Sequence, residues 1–75
     1  MSKRDFLGYL ARVEDADAYQ VADALAVPYA TASMALLRAV RAGLVTRGYD
    51  SETGTFRYSL SARGAERLAY FDTLD

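Results

Sequence analysis

Arg38 and Arg41 lie about one helical turn apart, and Arg47 and Arg57 follow further along the chain. Just before them stand Tyr29, Thr31, Ser33 and Met34. Guanidinium groups neutralise phosphates, and hydroxyls donate to phosphate oxygens or base edges. The arrangement therefore suits nucleic-acid contact better than bond-making chemistry. No acid occurs between Ala24 and Tyr49, so the middle of the chain carries a local positive field although the net charge is −1. Catalysis has little to work with. The chain has no His and no Cys, which removes the commonest general base and the strongest nucleophile. No glycine-rich phosphate loop occurs. The acids Glu14, Asp15 and Asp17 lack the ligand spacing of a calcium loop, and capping and loop solvation account for them. No metal, no cofactor and no enzymatic activity are expected.

Four helical segments and one hairpin must position these side chains. Ser2 with Asp5 reads as an N-cap with an acidic first turn. Phe6, Leu7, Leu10 and Val13 then follow helical spacing, which predicts a first helix over roughly 3–13. Asp17 with Gln20 forms a capping-box pattern that starts a short second helix with Val21, Ala22 and Leu25 on its apolar stripe. Val27-Pro28 ends it, because proline removes a backbone donor and holds the preceding residue extended. A third helix is predicted from about Tyr29 to Ala42. Ala32, Leu36, Ala39 and Val40 share its inner side; Ala30, Met34, Leu37, Arg38 and Arg41 share its outer face. Gly43 stands where a left-handed C-cap belongs.

Two strands follow, Leu44 to Tyr49 and Thr55 to Leu60, joined by the turn residues Asp50-Ser51-Glu52-Thr53-Gly54. In the second strand Phe56, Tyr58 and Leu60 alternate against Thr55, Arg57 and Ser59. Ser61 caps a fourth helix, with Ala65, Leu68 and Phe71 expected to face inward. The fold class is thus mainly α with a small β-hairpin (α+β), in the order helix, helix, helix, strand, strand, helix.

The length of 75 residues suits one small domain, whose core must supply its stability without disulfides. An apolar share of 52% argues against disorder. No apolar run reaches the roughly 20 residues that span a bilayer, and no signal-like segment opens the chain. A cytoplasmic protein with no membrane association is expected.

A short helix, a tight turn, a longer helix and a hairpin follow the logic of a winged helix-turn-helix. The run QVADALAVPYATASMALLRAVRAGLVTR resembles the helix-turn-helix of MarR-, ArsR- and PadR-type regulators of bacteria and archaea. GLVTR at 43–47 and FRYSLSARG at 56–64 resemble their wing and the step into the next helix. The likeness covers roughly residues 18–68. It implies a helix-turn-helix over about 18–43, a wing over about 44–60 and a C-terminal helix over about 61–71.

The resemblance implies a small transcriptional regulator of a prokaryote, cell or virus, with double-stranded DNA as partner. The third helix would enter the major groove, N-terminal residues nearest the bases. Tyr29, Thr31, Ser33, Met34, Arg38 and Arg41 then form the helix contribution, and Arg47 and Arg57 hold the backbone from the wing. Each has a plainer reading: capping or packing for Thr31 and Ser33, a ring stapling the turn for Tyr29, solvated or paired charge for the arginines. Resembling regulators often carry a polar or basic residue at the Met34 position, and this chain departs from that. Ala, Met and Leu cannot make bidentate base contacts. The alternative is a protein-interaction module that uses this apolar face, which the acidic wing tip and acidic total charge also favour. Resembling proteins commonly dimerise through terminal helices, so Phe6, Tyr9, Leu68, Tyr70, Phe71 and Leu74 are candidates for a homodimer interface. The same aromatics could instead close the core of the monomer.

Overall fold

The computed structural model describes residues 1–73. The elements are α1 (Lys3–Arg12), α2 (Ala18–Leu25), α3 (Tyr29–Arg41), β1 (Val45–Asp50), β2 (Thr55–Leu60) and α4 (Ala62–Thr73). The predicted order holds, and the architecture is that of a winged helix-turn-helix.

The caps lie where the sequence puts them. The Ser2 hydroxyl accepts from the Asp5 N–H at 3.0 Å. Asp17 Oδ1 accepts from the Gln20 N–H at 2.8 Å while Gln20 Oε1 accepts from the Asp17 N–H at 2.9 Å, a complete capping box. Helices α2 and α3 both close in a Schellman motif. Gly43 is left-handed with φ 77°, and the N–H groups of Gly43 and Leu44 bond to Val40 and Ala39. At the end of α2 the left-handed residue is Ala26, with φ 54°, and the N–H groups of Ala26 and Val27 bond to Asp23 and Ala22. Proline at 28 follows this turn rather than making it.

The core joins three faces. Phe6, Leu7 and Leu10 of α1 meet Ala18, Val21 and Ala22 of α2 and Ala32, Leu36 and Ala39 of α3. Leu44, Val45 and Tyr58 close it from the hairpin. The strands pair antiparallel, with Val45 opposite Leu60, Arg47 opposite Tyr58 and Tyr49 opposite Phe56. These three pairs share one face of the ribbon. That face is buried at its base and outruns the core toward the tip, so Phe56 is exposed although it alternates in phase with buried Tyr58.

Two features correct the sequence reading. The inward residue in the first turn of α4 is Gly64, while Ala65 is exposed. A Cβ built on Gly64 would lie 2.1 Å from the Leu44 carbonyl oxygen, so the helix backbone sits directly on the chain entering β1. Ser61 ties the same junction, donating to the Gly43 carbonyl at 2.7 Å and accepting from the Gly64 N–H at 2.9 Å. The second feature is a third edge to the wing. Ala16, inside the acidic cluster, pairs with Tyr58 through two backbone hydrogen bonds of 2.9 and 2.8 Å.

Candidate nucleic-acid interface

Helix α3 buries Ala32, Leu36 and Ala39 and presents the opposite side to solvent. Ala30, Thr31, Met34, Arg38 and Arg41 are exposed there; Ser33 and Leu37 are half-buried at the margin. The helix begins after Pro28 with no side-chain cap. Its first N–H groups are therefore left to solvent or a ligand, and they form the positive end of the helix dipole. Tyr29 stacks on Tyr19 of α2, ring centroids 4.3 Å apart, which realises the stapling role while leaving both rings well exposed.

The two wing arginines, read as equals in the sequence, separate in the structure. Arg47 lies with its guanidinium over the Phe56 ring at 4.5 Å from the centroid. Phe56 in turn meets Tyr49 edge-on at 5.4 Å. No carboxylate among the described residues lies within salt-bridge distance of Arg38, Arg41 or Arg47. Arg57 projects from the other face of the ribbon into the acidic cluster. Its Nε donates to Asp15 Oδ1 at 2.9 Å, its Nη2 reaches the same carboxylate, and its Nη1 lies 3.7 Å from Asp17 Oδ2. The Asp15 hydrogen bond raises the Arg57 pKa above its ordinary value; desolvation opposes this, and the charges of Asp15, Asp17 and Asp50 add to it. Arg57 is thereby committed within the molecule. The phosphate contact expected of it would have to compete with these two carboxylates. The acids Asp15 and Asp17 serve as its counterions and, for Asp17, as the α2 cap. Among the described residues no group of three potential ligands could hold a metal.

The proposed dimer residues differ in exposure. Phe6 is buried at 4% exposure, so it belongs to the core and is withdrawn as an interface residue. Leu68 and Phe71 are half-buried against the core, as is Tyr9. Tyr70 is exposed beside Phe71, and Leu74 lies outside the described residues. Arg4 and Asp72, 3.3 Å apart, tie α1 to α4. No helix among the described residues is long and apolar enough to cross a membrane.

No family model and no curated protein matches the chain. Solved structures do. A point mutant of S. aureus MepR bound to an oligodeoxyribonucleotide matches with a TM-score of 0.87 and 24% identity, covering 96% of this chain and 54% of that one. A MarR family transcription regulator matches with a TM-score of 0.82 and 31% identity, over 89% of this chain and 45% of the other. A mutant of ZitR from Lactococcus lactis matches at 0.80 with 17% identity, over 95% and 54%. The chain is a winged helix-turn-helix protein that shares the fold of MarR-family transcription regulators. It spans about half the length of the solved structures it matches.

Proposed function

We propose that this chain is the DNA-binding part of a small cytoplasmic transcription regulator, docking α3 in the major groove of double-stranded DNA. The observation that carries this reading is the exposed face of α3. It joins an uncapped N-terminus to Arg38 and Arg41, with Arg47 on the adjoining wing, and none of the three arginines is neutralised by a carboxylate among the described residues. The fold shared with a MepR variant bound to an oligodeoxyribonucleotide supports the DNA reading. Thr31, Ser33 and Tyr29 contact the backbone near the helix start, and Arg38, Arg41 and Arg47 neutralise phosphates. Arg57 acts indirectly, by holding the wing against the α1–α2 loop. Met34 offers a thymine methyl only an apolar contact, so direct base reading is weak. A homodimer would use Tyr70 on the exposed side of α4, since Phe6 is buried in the core.

Anisotropy with a labelled random-sequence duplex tests this at about 50 and about 200 mM salt. Affinity falling steeply between the two is expected. Absence of binding at low salt rejects the proposal and turns attention to the second reading, a protein-docking surface. One observation favours that reading: Met34 is 49% exposed in the middle of this face, with half-buried Leu37 at its margin. Met34→Asp would then abolish a protein complex while leaving the fold intact.

A further inference from the structure

Between the wing and the start of α2 and α3 lies a cleft of about 180 Å³. Four aromatic rings line it: Tyr19 from α2, Tyr29 from α3, and Phe56 and Tyr58 from β2. Asp17 and Thr55 contribute polar groups at its border. Tyr19 and Tyr29 stack on each other yet remain 66% and 47% exposed, and Phe56 is 44% exposed. Tyr58 belongs to the buried core, but Tyr19, Tyr29 and Phe56 lie outside it, so the core closes without those three rings.

We propose that this cleft seats one unpaired or extruded nucleobase at the edge of the duplex engaged by α3. The inference rests on the DNA reading above and deepens it. A base presents two flat faces that stack on aromatic rings whatever its identity, and its edge carries amino groups that a carboxylate or hydroxyl can accept. The flanks of the cleft suit the phosphates on either side of such a base. The uncapped N-terminus of α3 lies on one side, and Arg47, held over Phe56, lies on the other. Asp17 would repel the strand if its charge stood alone, but Arg57 faces it at 3.7 Å and offsets that charge. The clamp that removes Arg57 from the phosphate contacts thus also makes the cleft tolerable to an anionic polymer. A cationic ligand fits less well, because the same guanidinium already stands against the carboxylate.

The test compares three labelled probes of equal length: a blunt duplex, the same duplex with one bulged 2-aminopurine, and the duplex ending in a 2-aminopurine overhang. The bulged or overhanging probe should bind about tenfold more tightly than the blunt one, with the 2-aminopurine fluorescence quenched on binding. Tyr19→Ala, at an exposed position outside the proposed duplex contacts, should remove that advantage and the quenching while leaving blunt-duplex affinity unchanged. Equal affinity for all three probes without quenching overturns the base seat and leaves the duplex reading standing. Failure to bind any probe at low salt overturns both. Loss of affinity for all probes alike in Tyr19→Ala also overturns the seat, because it makes that ring part of the general duplex surface.

Discussion

The base and the open edge of the wing are built from the same hairpin and obey opposite requirements. At the base and along β2, the groups that anchor the hairpin find partners inside the molecule. Gly64 meets the Leu44 carbonyl, Ser61 bridges Gly43 and Gly64, Ala16 pairs with Tyr58, and Arg57 is held by Asp15 and Asp17. At the edge, Phe56 carries Arg47 over its face and meets Tyr49 edge-on, and all three stay exposed. The base fixes the angle between wing and α3, and the edge offers that angle to a partner. Substitutions at the base should therefore move stability, and substitutions at the edge should move binding.

The largest effect belongs to Gly64. A methyl at this position meets backbone, which cannot rotate away as a side-chain tip can. Gly64→Ala should destabilise by about 3 kcal/mol even though alanine favours helix, because overpacking against fixed atoms outweighs a propensity gain of roughly 0.5–1 kcal/mol. For a domain of this size that lowers the melting temperature by about 15 °C, measured by circular dichroism. A melting temperature within a few degrees of the parent would mean that α4 can lift off β1, and the base of the wing would then be no more rigid than its edge.

Much of this frame is legible in the sequence, for local reasons. Caps, the apolar stripe of α3, the left-handed Gly43 and the DSETG turn are each decided by residues within a turn of one another. The unread features are long-range. Arg57 and the acids that hold it are separated by the whole of α2, α3 and β1, so periodicity sees only an outward arginine and a solvated acidic loop. Ala16 sits between two acids and shows no strand pattern, because one bridge needs one residue. Gly64 lies within the motif that leads into the last helix, yet the apolar pattern points to neighbouring Ala65 as the buried residue. A glycine carries no apolar signal, and only the close approach of Leu44 reveals what its missing side chain allows. Phe6 shows the converse: an aromatic on a terminal helix looks the same whether it faces the core or a partner. For the site, the α3 face was readable as a surface, while the split between Arg47 and Arg57 was not.

That split gives the next effect. Arg47→Ala should leave the melting temperature unchanged and reduce the dependence of log affinity on log salt by about 0.9, the loss of one phosphate contact. Arg57→Ala should do the reverse at first order, lowering the melting temperature while the salt slope stays near that of the parent. The charge of Arg57 gives this contribution no acid-side dependence of its own. A guanidinium whose pKa is raised in the fold keeps its stabilisation fully below the unfolded value and loses it only above, beyond working pH. Equal loss of slope in both variants would return Arg57 to the phosphate backbone and dissolve the distinction between base and edge.

The smallest effect concerns the turn that sets the other wall of the site. Ala26 and Gly43 occupy the same place in two Schellman motifs, but only Gly43 does so without a Cβ. A non-glycine residue in the left-handed region costs about 1–2 kcal/mol, whereas glycine adds about 0.4–1 kcal/mol of unfolded-state entropy. Ala26→Gly should therefore stabilise by roughly 0.5 kcal/mol, a rise of about 3 °C in melting temperature. Its affinity for duplex DNA should not change, since Ala26 lies behind the start of α3 and the helix keeps its position. A gain in stability accompanied by weaker binding would show that the strain at Ala26 helps to aim α3. The α2–α3 turn would then belong with the open edge of the wing as part of the interface, rather than with the scaffold that holds it.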